Sequence, residues 1–276
     1  MKVLLLILVL LLLLILRNYQ STFSSIDYTG YLNDLKFKFK NRFEVSLTGD
    51  KFNCIDMVYV VVMPERNNYI TTKMKELGIK YKKFDAVKPV DLSDLDYNTL
   101  STINEPGSNI YNKKTRLPVL LSFIMCFMDA IENGYSTITI FEDDIVINSD
   151  KITINNGLCE FVKSQNDVFF MGYCFLDCKQ DKTERTFISE LSNPSVICGH
   201  AISYKTKILP ELINYCFKMT KPSDELFTEY YVKNKIKVAV PKESTYFDQA
   251  DRFNRPDDTG KLPSLNESVN VLKYCR

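Results

Sequence analysis

The chain has almost no surplus of either charge. Across 276 residues, 35 Lys and Arg stand against 34 Asp and Glu, a formal net charge of +1. A chain this balanced carries no global field to draw in a polyanion, so nucleic acid is not an expected partner. A glycine-rich phosphate loop is missing, and so is a second dispersed acidic motif. Their absence sets aside a metal-dependent phosphotransferase or nuclease. Histidine is limited to His200, and the eight cysteines contain no C-x-x-C pair. Cys174, Cys178 and Cys198 nevertheless lie close together in sequence, which suits one disulfide in an oxidising lumen. A structural zinc site, with His200 as its only histidine, is the other reading. No internal repeat or low-complexity block follows the first 17 residues.

What is present has the balance of a folded enzyme: 45% hydrophobic, 25% charged and 12% aromatic residues. The length allows one large α/β domain or two small ones. The N-terminus departs from this average. Val3 to Leu16 is an unbroken run of 14 Val, Leu and Ile residues between Lys2 and Arg17. As a helix rising ~1.5 Å per residue it would reach roughly 21 Å, short of a ~30 Å hydrocarbon core. Residues 1–17 are therefore expected to be a signal-anchor or a cleaved signal peptide. The lack of a small-x-small cleavage pattern after Arg17 favours the anchor. This reading predicts a single-pass type II membrane protein facing the ER or Golgi lumen, secreted if the N-terminus is cleaved. Residues 18–52 read as a stem, or as a strand laid against the domain. Residues 53–250 are expected to form the main domain and 251–276 a C-terminal tail carrying the sequon Asn266-Glu267-Ser268.

Within the main domain, Met57-Val58-Tyr59-Val60-Val61-Val62 is a β-branched run ended by Pro64, as in a buried parallel strand. A helix is predicted over 67–77, stopping at Gly78, and a second strand over 79–84. Residues 88–115 carry little periodicity and read as a long surface excursion with some irregular helix. Pro118 to Asn133 is helical, with Leu121, Ile124, Met125, Met128 and Ile131 on one face and Pro118 in its first turn. Further strands are expected over 136–141, 167–171, 201–204 and 238–240, and further helices near 206–218 and 224–234. From Asp248 the chain reads as peripheral. Strands alternating with helices predict an α/β fold with a mostly parallel central sheet, preceded by the N-terminal hydrophobic helix.

The strand over 136–141 is uncharged and runs directly into Glu142-Asp143-Asp144. Ligand sites in open α/β sheets form at the carboxyl ends of strands. Three adjacent acids repel one another there, and a bound Mg2+ or Mn2+ would relieve that repulsion through hard oxygen ligands. A cation so held can bind a diphosphate and stabilise its departure from a sugar carbon. A solvated acidic turn is the plain alternative.

The stretch Tyr135 to Ile145, with this acidic motif at its end, resembles glycosyltransferase family 25, which includes lipopolysaccharide-biosynthesis and collagen β-galactosyltransferases. The likeness extends from about 57 to 250. It takes in Val58 to Val62 with Arg66 after them, Phe84-Asp85-Ala86-Val87, and the helix end Asp129 to Tyr135. It also takes in Met171-Gly172-Tyr173-Cys174, Cys198-Gly199-His200-Ala201 and Lys221-Pro222-Ser223-Asp224-Glu225. Two positions depart from the family pattern. Val62-Met63-Pro64-Glu65 stands where the family carries Asn-Leu-Asp, and Ser122-Phe123 where it carries Ser-His.

The resemblance implies a GT-A-like nucleotide-binding sandwich and inverting transfer from a donor such as a UDP-hexose to a glycan or protein hydroxyl. On this reading Asp144 and Glu142 are the expected metal ligands, for Mn2+ or Mg2+. Arg66, Glu142 and Asp143 are expected at the donor. Asp224, opening a helix after Pro222, is the expected base, against the plain reading of a helix N-terminal charge. His200, ahead of an apolar strand, is the other catalytic candidate; a structural hydrogen-bonding role is its alternative. Lys83 and Tyr173 are weaker candidates for phosphate and sugar contact. The competing reading is a catalytically silent, membrane-anchored binding protein that keeps the transferase fold.

Overall fold

The computed structural model describes residues 28–46, 48–101, 113–175 and 182–249. The chain divides into two compact units, Met1–Lys40 and Asn41–Arg276. In the first, helix α1 (Tyr28–Phe39) carries Lys36 and Lys38 in its last turn, where cations suit the helix dipole. The apolar run Val3 to Leu16 lies outside the described residues, as does the tail from 251. The single-pass membrane placement needs correction: among the described residues, no helix is long and apolar enough to cross a membrane.

The second unit is a mixed α/β structure around a nine-stranded sheet. Its elements are β1 (Phe43–Val45), β2 (Met57–Val62), α2 (Asn67–Leu77), β3 (Lys82–Asp85), α3 (Asp94–Leu100) and α4 (Lys113–Glu132). Next come β4 (Thr137–Glu142), β5 (Ile145–Ile147), α5 (Lys151–Lys163), β6 (Val168–Phe175), β7 (Lys182–Glu184) and β8 (Ile188–Leu191). The chain closes with β9 (Val196–Lys205), α6 (Leu209–Cys216), α7 (Ser223–Lys233), β10 (Val238–Pro241) and β11 (Phe247–Gln249). The sheet order is β1-β3-β2-β4-β9-β6-β10-β8-β7, and β11 pairs with β5 apart from it. Strands β3, β2, β4, β6 and β10 run the same way, while β9 lies reversed between β4 and β6. The parallel expectation thus holds for five of the six strands read from the sequence and misses β9; β1 and β8, outside that set, are reversed as well. Strand β1 falls within the stretch read as a stem and pairs antiparallel with β3 at the sheet's end.

Side-chain alternation along the strands sorts the core into two layers. Val58, Val60, Val62, Phe169 and Met171 face one side, where α2 contributes Ile70, Met74 and Leu77 and α5 contributes Ile154, Leu158 and Phe161. Tyr59 and Phe170 face the other. Tyr59 donates its hydroxyl to Asp129 of α4, which also takes Lys82 Nζ at 2.7 Å. Phe170 packs edge-on to Tyr231 of α7, and Phe127 of α4 packs on Tyr204 of β9. Helix α2 ends as its sequence predicts: Gly78 is left-handed at φ 59°, and its N–H bonds the Lys75 and Met74 carbonyls.

Helix α4 differs from expectation. It begins at Lys113, so Pro118 is interior rather than in the first turn. Proline has no N–H to give the carbonyl four residues back. The Tyr97 hydroxyl donates to that carbonyl, of Lys114, at 3.2 Å.

A disulfide joins Cys54, just before β2, to Cys159 on α5. The expected pairing or zinc site among Cys174, Cys178 and Cys198 lies outside the described side chains.

Candidate active site

Parallel pairing of β2 with β4 sets Val61 beside Glu142, so both chains leave the sheet at one edge. The segment after β2 makes a single helical turn, Pro64–Arg66, before α2. Proline at its first position fixes φ where no N–H is required. This turn presents two donors to the acidic motif. The Met63 amide donates to Asp143 Oδ2 at 2.6 Å, and Arg66 Nη1 donates to Asp143 Oδ1 at 2.7 Å. The same Arg66 nitrogen stands 3.2 Å from Asp144 Oδ2.

The three acids therefore divide. Asp143, 6% exposed, is taken up by the β2 turn. Glu142 and Asp144 converge on a different group: Gln249 Nε2 stands 3.4 Å from Glu142 Oε2 and 3.2 Å from Asp144 Oδ2. Gln249 arrives on β11, whose pairing with β5 sets it opposite Ile145. Tyr69 of α2 adds a further tie, donating its hydroxyl to the Ile145 carbonyl at 2.9 Å. The second Asp144 oxygen, Oδ1, is buried without a hydrogen-bond partner among the described residues.

Three carboxylates and one guanidinium give this turn a formal charge of −2. Burial pushes the Asp143 carboxyl up, against the Met63 amide and Arg66, with the Asp144 charge adding to the rise. For Arg66 burial acts downward, but Asp143 and Asp144 outweigh it and hold the guanidinium more firmly protonated. A divalent cation matches both the charge and the hard oxygen donors of Glu142 and Asp144, including the unsatisfied Asp144 Oδ1. Among the described residues, however, no group of three or more His, Cys, Asp and Glu side chains is arranged to hold a metal. Asp143 is engaged by Met63 and Arg66, and Glu142 and Asp144 are the two carboxylates that face Gln249.

The remaining candidates fall as follows. His200 lies on β9; Phe141 pairs with Ala201, so Glu142 and His200 are the next residues outward on their strands. The imidazole is 3% exposed and bonds the Phe247 carbonyl through Nε2 at 3.2 Å. Burial holds its pKa below the usual value, while the Phe247 carbonyl and the Asp144 and Asp248 charges act the other way. Asp224 opens α7 and makes no hydrogen bond or ion pair among the described residues, so no direct contact joins it to the acidic turn. Lys83 is tied to Glu44 at 2.8 Å and Asp85 at 3.4 Å. Burial raises the Tyr173 hydroxyl.

The profile of glycosyltransferase family 25 (LPS biosynthesis protein) matches residues 58–236, from within β2 to just past α7. The chain belongs to glycosyltransferase family 25. Membership makes it a sugar transferase by family, and the acidic turn with its Arg66 partner falls inside the matched region. Gln249 lies past its end.

Among solved structures, A197 from STIV is similar at 14% identity over 69% of this chain and 82% of that chain, with a TM-score of 0.36. A candidate glucose-1-phosphate thymidylyltransferase of Bacillus anthracis, in complex with a sucrose, is similar at 12% identity over 70% of each chain, with a TM-score of 0.35. Likenesses this distant carry nothing about chemistry. No curated protein matches the chain.

Sequence reasoning missed Gln249 and the Met63 amide. Nothing in a polar Asp248-Gln249 pair marks it as part of a site. A backbone N–H leaves no signal in sequence at all.

Proposed function

We propose that this family 25 glycosyltransferase moves a hexose from a nucleotide-sugar donor, a UDP-hexose, to a hydroxyl of a glycan or protein, with inversion at the sugar carbon. The sheet serves as a GT-A-type donor platform, and Glu142 and Asp144 hold Mn2+ or Mg2+. The observation that carries this reading is the division of the acidic motif. In the turn that follows β4, Glu142 and Asp144 meet at one amide nitrogen, while Asp143 turns to the β2 loop.

A cation on this pair supplies Lewis-acid charge relief for the departing diphosphate. The chain's own groups do the rest. Asp143 anchors Arg66, which places a guanidinium at the sheet edge where donor phosphates would be met. The Arg66 contact to Asp144, at 3.2 Å, is the longer of its two carboxylate contacts and the one a phosphate oxygen would replace. Inversion needs a base for the acceptor hydroxyl. Asp224 keeps that role in this proposal because its carboxylate is not engaged by any other described group. His200 is better suited to holding structure, since a 3% exposed imidazole does not reach an acceptor.

The test is UDP release by the full chain from a panel of UDP-hexoses, with and without Mn2+. Release that needs the cation, and that rises with a hydroxyl acceptor, is the expected result. No release from any donor with either Mn2+ or Mg2+ would sink the proposal. It would leave the silent, fold-retaining protein, which the Val62-Met63-Pro64-Glu65 departure favours.

A further inference from the structure

Strand β11 is three residues long and pairs only with β5 among the described strands. A two-stranded ribbon has little stability of its own, so something must hold this one against the main sheet. The buried Phe247 ring does part of this, 4.8 Å from Phe141 of β4, and two hydrogen bonds to the chain beside it do more. The Tyr246 amide donates to the Met171 carbonyl of β6 at 2.8 Å. The Phe247 carbonyl stands 3.2 Å from His200 Nε2 of β9. A carbonyl only accepts, so Nε2 carries the hydrogen, and the other ring nitrogen is buried without a partner among the described residues.

This contact depends on a gap in β6. The β6–β9 ladder slips register on either side of Gly172. A Cβ at Gly172 would fall 2.0 Å from His200 Nε2 and 2.6 Å from the Phe247 carbonyl oxygen. Only glycine lets imidazole and strand meet there. Bulges of this kind recur beside active sites, where they re-aim a side chain. Two residues along β11 from Phe247, and so on the same face, is Gln249, whose amide meets both Glu142 and Asp144.

We propose that His200 is a positioning residue: its Nε2–H to the Phe247 carbonyl, in the space left by Gly172, fixes β11 so that Gln249 orients the Glu142–Asp144 pair. The functional half rests on the cation reading above; the structural half stands without it. Hydrogen-bonded carboxylates bind metal with less reorganisation, and losing such supports typically weakens affinity.

The experiment compares the wild type with His200→Leu, His200→Gln and Gln249→Ala as full chains. Amide hydrogen exchange is read over 145–148 and 246–249, and Mn2+ affinity from the free-ion EPR signal. Losing one neutral hydrogen bond predicts roughly two- to tenfold faster exchange in His200→Leu. Mn2+ binding should weaken by a similar factor. Glutamine carries a donor near the Nε2 position, so His200→Gln should restore both. Gln249→Ala should weaken Mn2+ binding at least as much as His200→Leu does, while the Phe247–His200 bond remains and limits the rise in β11 exchange.

Exchange in His200→Leu equal to wild type overturns the proposal, as does a glutamine variant no better than leucine. Faster exchange with unaltered Mn2+ affinity overturns the link from β11 to the carboxylates. If His200→Leu does not fold, Gly172→Ala carries the test, because its Cβ displaces Nε2 without removing the ring; unchanged exchange there is equally fatal. A wild type that binds no Mn2+, with the exchange pattern as predicted, supports the strand anchoring and removes the cation reading instead.

Discussion

Asp143 offers the sharpest test of how the acidic motif is divided. Asp143→Ala removes the acceptor for the Met63 amide at 2.6 Å and for Arg66 at 2.7 Å, at a site 6% exposed. A hydrogen bond to a charged group contributes about 1.5–3 kcal/mol, so the two together give about 3–6 kcal/mol. Against this, removing the carboxylate also removes its desolvation cost and its repulsion with Asp144. The expected net loss is about 2–4 kcal/mol, a large share of a typical ~5–15 kcal/mol stability. Equilibrium urea unfolding reads it: with a slope of about 3 kcal/mol per M, the midpoint should fall by about 1 M. Asp144→Ala is the control. Its contacts to Arg66 and to Gln249 are longer, both 3.2 Å, and Oδ1 has no partner among the described residues, so it should cost clearly less than Asp143→Ala, about 1–2 kcal/mol. Two alanine variants with equal and small effects would refute the division. The motif would then be a solvated acidic turn.

The Cys54–Cys159 disulfide closes a sequence separation of 105 residues, for which chain entropy predicts about 4–5 kcal/mol. Cys54→Ser, or dithiothreitol with the wild type, should lower the urea midpoint accordingly, and an unchanged midpoint would contradict the bond. His200 is the only histidine, and burial holds its folded pKa below the unfolded value near 6.5. As pH falls through about 6.5 the unfolded chain takes up a proton that the folded chain does not. The stability His200 contributes is therefore fully present above pH ~6.5 and is lost progressively below it, down to the folded pKa. His200→Gln should flatten that part of the pH–stability curve; a slope unaltered by the substitution would place the titration elsewhere.

Much of the scaffold was legible because its signals are local. The MVYVVV run fixes β2 over Met57–Val62, and Gly78 ends α2 at its predicted boundary. The apolar strand before Glu142 is as clear. The misses share a different cause. Helix α5 carries β-branched residues, two asparagines and Gly157, all weak helix formers. Its start is set by Asp150, which caps the Ile152 and Thr153 amides, and Gly157 is needed where Tyr246 packs against the helix. Pro118 looked like a helix start because Tyr97, distant in sequence, supplies the donor that lets the helix begin earlier. The disulfide joins Cys54 and Cys159, which lie 105 residues apart, so proximity in sequence gave no sign of that pairing.

The site divides in the same way. Glu142-Asp143-Asp144 and Arg66 were visible as residue types at a strand edge. Which acid faces the β2 loop, and which two face Gln249, depends on the β2–β4 register and on a strand arriving from 105 residues downstream of Asp144. No local pattern encodes that. His200 was visible only as a lone histidine; its bond to Phe247 depends on Gly172 in a third strand.

In the proposed mechanism Glu142 and Asp144, and not Asp143, present the charge that a cation and a nucleotide diphosphate need. The most direct measurement is UDP release from the best donor by wild type and by Asp144→Asn, each titrated with Mn2+. Asp144→Asn should lose at least about a hundredfold at saturating donor, with Mn2+ dependence abolished. Turnover and Mn2+ dependence retained by Asp144→Asn would contradict it.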